Sequence, residues 1–418
     1  MSTLAAPAPA KALLERKDLI RVLTLLDCDG EEARLVGGAL RNALLHRPVE
    51  EFDIATTATP ETVIARAEAA KLKSVPTGLS HGTVMLIVEG RPFEVTSLRE
   101  DIETDGRHAK VRFSRDFEAD AKRRDFTMNA LSMTRGAMLF DYVGGLADIE
   151  ARKLRFIGDP AARIREDYLR ILRFFRFAAA YAEGPLDQDA VLACLRARDG
   201  LARLSRERVR NEILKLLAAP RAGEVTREFC ETGLLGPLLA SAPNPLRLIN
   251  LLRFTSEETR DPLLGLAALC VNLPENALRL RERLRLSNPE TERLVEAAAA
   301  FMTLHGLEKP PPAPASLRLI FRYGRQAACD ALALAAAESD ADVAPWREAL
   351  AYARAAKQPR LPFSGADLLA RGVAEGKAIG DALNDLQARW IEAGFPEDPR
   401  RLAELLEEVV AAANGSTR

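Results

Sequence analysis

Cysteine and histidine are scarce in this chain, five and four in 418 residues. Cys28, Cys194, Cys230, Cys270 and Cys329 form no CxxC pair, and His46, His81, His108 and His305 are equally scattered. That distribution argues against structural zinc and for reduced thiols in a cytoplasmic compartment. Any metal used here is then a hard one held by carboxylates. Long apolar runs are missing too, since charges interrupt every stretch approaching the roughly 18 residues of a membrane span. The leading MSTLAAPAPAKALLERK lacks the apolar segment of a secretory signal. Nor is there an excess of one charge: 59 Lys+Arg stand against 60 Asp+Glu. Near-neutrality excludes a uniformly basic nucleic-acid coat but not a local patch.

What is there is ordinary globular material, 48% apolar and 28% charged, long enough for roughly two to four domains. The first part reads as α+β. A helical lead-in over 13–26 precedes the strand RLVGG and the helix ALRNALLH. FDIATTA, a helix from Pro60 through Ala70, and the period-2 stretches GTVMLIVEG and PFEVTSL follow. Residues 100–120 are polar and unpatterned, and read as a mobile loop. From Asp159-Pro160 onward the pattern is helical, with Asp159 as N-cap and Pro160 at the first helical position. Helices are expected over 189–219, 223–233, 246–272, 276–284 and 290–305. Past the Pro-rich break at 309–314 they continue over 316–336, 345–357, 365–371, 378–394 and 398–413. No fixed-period repeat is visible.

Four constellations carry chemistry. Gly37-Gly38 at a strand-to-helix turn offers bare N–H groups to an anion, and Arg41 adds a cation one turn in. Glu51 and Asp53, spaced i and i+2, place two carboxylates on one strand face. They repel unless a cation sits between them, and Glu94 is a candidate third acid from a neighbouring strand. Arg123 and Arg124 open an apolar run, with Asp125 and Asn129 placed to orient them. Steps of three put Asp167, Arg170, Arg173 and Arg176 along one winding stripe of a helix, opposite Ile171, Leu172, Phe174, Phe175 and Phe177. An Asp beside an Arg offers an acceptor and a donor fork to a nucleobase edge.

Taken together, RLVGGALRNALLHRPVEEFDIATTATP, HGTVMLIVEGRPFEVTSLRED, RRDFTMNAL and the run from DYVGGLADIE through REDYLRILRFFRFAA resemble one family. It is that of the bacterial class II tRNA nucleotidyltransferases, the CCA-adding enzymes. They share a polymerase-β-like head with bacterial poly(A) polymerases. The tail LPFSGADLLARGVAEGKAIGDALNDLQARWIEAGF is similar to the family's C-terminal region.

The resemblance implies a small mixed-sheet head over 1–140, then an all-α neck over 141–220, body over 221–308 and tRNA-binding tail over 309–418. It implies addition of CCA to the 3′ end of tRNA from CTP and ATP without a nucleic-acid template. Gly38 and Arg41, with Gly37 beside them, match the triphosphate site, and Glu51 and Asp53 match the two acids that hold Mg²⁺. Arg123 and Arg124 match the doublet that contacts the nucleotide. Asp167 and Arg170 match the base-recognising pair, continued by Arg173 and Arg176. The stretch 100–120 matches the flexible loop linked to the change from C to A addition.

Two positions depart from the pattern: Glu51 replaces the usual Asp, and Asn42 stands where an Asp commonly follows the arginine. A poly(A) polymerase, a CC- or A-adding enzyme and a non-catalytic RNA-binding relative remain as alternatives. The chain calls for no membrane and no obligate protein partner. Residues 151–220 carry 15 Lys+Arg against 9 Asp+Glu, so a basic neck is expected on a nearly neutral chain.

Overall fold

Alternating burial organises the N-terminal half. In Thr83–Val88 every second side chain is buried, and Arg91–Ser97 continues the alternation with Phe93, Val95 and Ser97 inward. The two strands are joined at Glu89-Gly90, both with positive φ, as a two-residue hairpin turn that follows strand twist requires. Arg91 and Pro92 already belong to the second strand.

A computed structural model describes residues 2–78, 82–104, 109–339 and 342–415. Its strands are β1 (Ser2–Ala5), β2 (Ala33–Val36), β3 (Asp53–Thr56), β4 (Lys73–Gly78), β5 (Thr83–Val88), β6 (Arg91–Ser97), β7 (Arg99–Thr104), β8 (Ala109–Phe113), β9 (Ser132–Thr134) and β10 (Met138–Asp141). Eight of them form one sheet in the order β1-β10-β9-β2-β3-β6-β5-β4. β3 and β6 run parallel, with Asp53 opposite Glu94. The connection between them holds the helix Pro60–Ala69, capped by the Thr59 side chain. Leu35, Ile54, Val84, Leu86, Val95 and Met133 supply a dry interior. The α+β class is as the sequence indicates, and β1, β4, β9 and β10 are strands that its pattern did not reveal.

The stretch 100–120 is not the unpatterned loop expected of it. β7 and β8 pair as an antiparallel ribbon, and Phe117–Lys122 is a helix capped by Asp116. Residues 105–108 of that stretch lie outside the described residues.

The chain divides into two compact units, 1–204 and 205–418, and the division falls within the segment expected to be the neck. The first unit ends in helices Pro160–Glu166, Leu169–Tyr181 and Gln188–Arg196 and a 3-10 turn Arg198–Arg203. Asp159 caps the first of these through Ala161 and Ala162.

The second unit is all helical among the described residues. The single helix expected over 246–272 is two, Pro245–Phe254 and Pro262–Cys270. Asp261 and Pro262 start the second one, whose first amides bond the Asp261 carboxylate. Likewise 189–219 splits, Arg206–Ala218 being separate. The long helix Ala313–Glu338 is interrupted at Gly324, where φ is 82°. Near the C-terminus, Leu386, Trp390, Phe395, Leu406 and Val409 form their own apolar cluster. Among the described residues no single helix is long and apolar enough to cross a membrane.

Candidate active site

Every site residue named from the sequence lies in the first unit. At the end of β2, Gly37 takes φ 70° and ψ −124° and caps the helix Gly38–Leu44. Its N–H donates to the Leu131 carbonyl at 3.1 Å. A Cβ at Gly37 would stand 2.9 Å from Nη1 of Arg124 and 4.0 Å from Oδ2 of Asp53. Glycine is therefore needed here both for its backbone angle and for the close approach. This turn brings Gly37, the metal-type acid Asp53 and Arg124 of the doublet together.

Asp53 is the first residue of β3 and sits beside Glu94 of β6. Glu51 is not within the strand, contrary to the face argument from spacing. It lies in the exposed approach to β3, although the ladder reaches back as far as Phe52, whose carbonyl accepts from the Glu94 amide at 3.1 Å. Burial is the first cause that pushes the Asp53 carboxyl up to about 6, the charges of Glu94 and Glu51 adding to it against Arg124 and Arg41. Among the described residues no three of His, Cys, Asp and Glu converge as a ready-made metal site.

Arg41 is 6% exposed. Its Nη1 donates to Asn129 Oδ1 at 2.5 Å and its Nη2 to the Tyr181 hydroxyl at 2.9 Å. Nε and Nη2 both reach Asn42 Oδ1, at 3.1 and 2.8 Å. Asn42 thus supplies the restraint on Arg41 that a carboxylate would, without its charge. Burial lowers the Arg41 guanidinium to about 10.

The doublet is held by a residue that sequence reading missed. Asp120, 4% exposed, accepts from Arg123 through Oδ1 and from Arg124 through Oδ2, at 3.2 and 3.0 Å. Burial opposes its charge, but the two arginines prevail and hold its carboxyl below the usual range. The i,i+3 and i,i+4 spacing of Asp120 to the doublet was the available signal. It lay inside the stretch taken for a loop. Asp125 does not orient the doublet; it pairs with Arg173, Nε to Oδ2 at 2.7 Å, and accepts from Asn129 Nδ2 at 3.1 Å. Asn129 does meet Arg124, through its backbone carbonyl at 3.2 Å.

The stripe Asp167–Arg176 is likewise modified. Asp167 is not on the helix with the arginines, because the chain breaks there, at φ −153°. Its Oδ1 accepts from the Leu169 amide at 3.0 Å and so starts the next helix. Arg170 Nη1 binds Glu166 Oε2 at 2.5 Å and the Arg163 carbonyl at 2.8 Å, and Nη2 binds the Arg123 carbonyl at 3.1 Å. Arg176 lies 3.9 Å from the Phe177 ring centre. Ile171, Leu172, Phe174, Phe175 and Phe177 are buried as the pattern requires. The Tyr168 ring presses on Gly200, where a Cβ would come within 1.9 Å of it.

Residues 33–155 match the family described as "Poly A polymerase head domain", and residues 186–244 match "Probable RNA and SrmB- binding site of polymerase A". The chain is 34% identical over 375 residues to the CCA-adding enzyme of Geobacillus thermodenitrificans, covering 89% of this chain and 88% of that one. The chain belongs to the CCA-adding tRNA nucleotidyltransferases. A vertebrate member, the mitochondrial CCA tRNA nucleotidyltransferase 1 of Danio rerio, is 32% identical over 400 residues, 90% of this chain and 87% of its own. The CCA-adding enzyme of Bacillus stearothermophilus, solved in complex with CTP, superposes with a TM-score of 0.73 at 29% identity. That superposition covers 98% of this chain and all of the other. The glycine turn, Asp53, Arg124 and Arg41 all lie within the first unit.

Proposed function

We propose that this protein completes the 3′ end of tRNA, adding C, C and A from CTP and ATP and releasing pyrophosphate. The observation that carries this reading is the convergence of Asp53, Gly37 and Arg124, with Arg41 held behind them by Asn129. In this reading the Gly38 amide and the Arg41 and Arg124 guanidiniums hold the triphosphate, while Gly37, whose own N–H is taken by the Leu131 carbonyl, makes the close approach possible. They keep its α-phosphorus in line with the tRNA 3′-hydroxyl, so that catalysis is mainly positioning and charge stabilisation.

A divalent cation fits the donor set. The proton that Asp53 retains to about pH 6 reflects burial next to Glu94 and Glu51, and a cation would relieve that crowding. Glu51 and Asp53 would hold Mg²⁺, with oxygens of water and substrate completing the shell; Glu94, the third acid expected from the sequence, does not converge with them as a ligand. Bound there, Mg²⁺ supplies a lowered hydroxyl pKa and screening of the leaving pyrophosphate.

Asp167 and Arg170 would read the base edge, as the acceptor and donor pair they offer allows. The capping bond of Asp167 and the three anchors of Arg170 support that role by fixing both side chains. Arg173 and Arg176 would back this face. The division into head, neck, body and tail is part of the same proposal. So is a reducing, cytoplasmic setting, in keeping with five free cysteines.

Because the head matches a poly(A) polymerase family, the competing product is a longer A tract. Sequencing the products made on tRNA lacking its 3′ end, with CTP and ATP supplied separately and together, decides between them. Extension stopping at CCA is the expected result, and an A tract would overturn it.

A further inference from the structure

The loop between the helix Gly38–Leu44 and β3 carries Glu51 ahead of the strand, so strand pairing alone does not place that side chain. At the far end of the loop the Phe52 carbonyl takes the Glu94 amide at 3.1 Å. The Phe52 ring packs on Phe93 there, with centres 5.6 Å apart. At the near end the loop is tied back to the helix. The His46 amide bonds the Ala43 carbonyl at 3.0 Å and the Arg47 amide bonds the Asn42 carbonyl at 2.8 Å. With His46 at φ 54°, this is the paired bonding of a Schellman cap. A side chain adds to it, since Asn42 Nδ2 donates to the Pro48 carbonyl at 3.1 Å. The oxygen of the same amide accepts from Nε and Nη2 of Arg41, at 3.1 and 2.8 Å. These partners fix which way the amide points. Reversed, it would set its N–H groups against a guanidinium and its oxygen against a carbonyl.

We infer that Asn42 is a positioning residue that couples the two halves of the nucleotide site. Its amide oxygen orients Arg41, and its amide nitrogen holds the approach to Glu51. The inference rests on the reading of Arg41 as a triphosphate ligand and of Glu51 as a metal ligand. Between the anchored Pro48 and the anchored Phe52 lie only Val49, Glu50 and Glu51, so a shift of Pro48 is passed on to the acid. A carboxylate at position 42 would still hold Arg41. It has no proton to give the Pro48 carbonyl, however, and would face it as one acceptor against another. The two positions at which this chain departs from its family, 42 and 51, are thus joined through one short loop.

The test separates the two ends of the amide. Asn42→Asp keeps the oxygen and loses the donor, whereas Asn42→Ala loses both. Mn²⁺ binding to the RNA-free protein is followed by the electron paramagnetic resonance of the free ion, and CTP binding in EDTA by calorimetry. Asn42→Asp is expected to weaken Mn²⁺ about 5-fold, the scale of one hydrogen bond, with CTP affinity in EDTA changed less than about twofold. Asn42→Ala should weaken both by about 5-fold. In a Glu51→Gln background, Asn42→Asp should leave Mn²⁺ affinity where it is, while a through-space effect of the new charge would persist there. Unchanged or tighter Mn²⁺ binding by Asn42→Asp, or an equal change in the Glu51→Gln background, would overturn the inference. So would unchanged CTP affinity in Asn42→Ala. Mn²⁺ binding by Glu51→Gln as tight as that of the unaltered protein would overturn the metal reading of Glu51, and the inference with it. Sequencing of the products tests CCA addition separately, so failure of the Asn42 coupling leaves that reading standing.

Discussion

The Tyr181 hydroxyl accepts a hydrogen bond from Arg41 at 2.9 Å, while its ring centre lies 3.8 Å from the same guanidinium. Tyr181 ends the helix Leu169–Tyr181, and Arg41 belongs to the helix behind the glycine turn. Arg47 approaches the same ring at 4.9 Å. One phenol therefore sets the direction of the arginine assigned to the triphosphate. Tyr181→Phe keeps the ring and loses the acceptor. KM for CTP and for ATP should rise together by about 10-fold, the scale of one hydrogen bond to a charged group, with kcat little changed. Steady-state kinetics beside a melting curve check this; a change confined to one nucleotide would contradict it.

Asp53 gives a pH signature. Its carboxyl is raised from 3.8 to about 6, chiefly by burial, so the folded chain binds this proton more tightly than the unfolded chain. Stability from this group is complete below about pH 4 and is lost as pH rises through 6. In EDTA, Asp53→Asn should melt about 2–4 °C higher than the unaltered protein at pH 7.5, and level with it near pH 4. The same variant should not incorporate CTP. A lower melting point at pH 7.5 would refute the electrostatic account.

Asp120 acts with the opposite sign. Its carboxyl is held low by Arg124 and Arg123 despite burial, so the stabilisation is present at neutral pH and disappears as acid protonates it. Asp120→Asn should cost about 2–3 kcal/mol at pH 7, a buried pair broken from one side with partly hydrated arginines. Urea unfolding at pH 7 and at pH 3 measures the loss and its decrease in acid. Nucleotide KM should rise as well, since both arginines lose their common anchor.

Gly200 supports Tyr168, the neighbour of Asp167. A methyl at 200 cannot coexist with the Tyr168 ring at 1.9 Å, so Gly200→Ala must displace it and, with it, the start of the helix at Leu169. The expected outcome is weakened choice between C, A, G and U in incorporation assays. Asp167→Ser, which keeps a capping oxygen, should relax base choice while leaving the melting point near that of the unaltered chain. Unaltered selectivity in both variants would remove Asp167 from base reading.

Where local chemistry decides structure, the residues announced it. Asp159-Pro160 opened a helix, Gly37-Gly38 turned a strand into one, and the Phe174, Phe175 and Phe177 face went inward. What escaped was non-local or masked by polarity. β9 has three residues, too few for any period, and exists because β2 and β10 flank it. The ribbon of β7 and β8 is polar in sequence and shows no apolar period; it is defined by its pairing. Asp120 stands only 3 and 4 residues from its arginines, a spacing hidden in a polar stretch taken for a loop, whereas Tyr181 reveals its partner only in three dimensions, 140 residues from Arg41.

The strand order also governs how the catalytic unit comes off the ribosome. Leu35 of β2 pairs with Met133 of β9, and the glycine turn takes its acceptor from Leu131. As domains emerge N-terminus first, β3, β6, β5 and β4 can assemble on one side of β2 while its other edge stays open. An open edge of buried character invites pairing with another nascent chain. A fragment that stops short of β10 would therefore be an aggregation hazard, and the smallest useful catalytic fragment must run past Asp141.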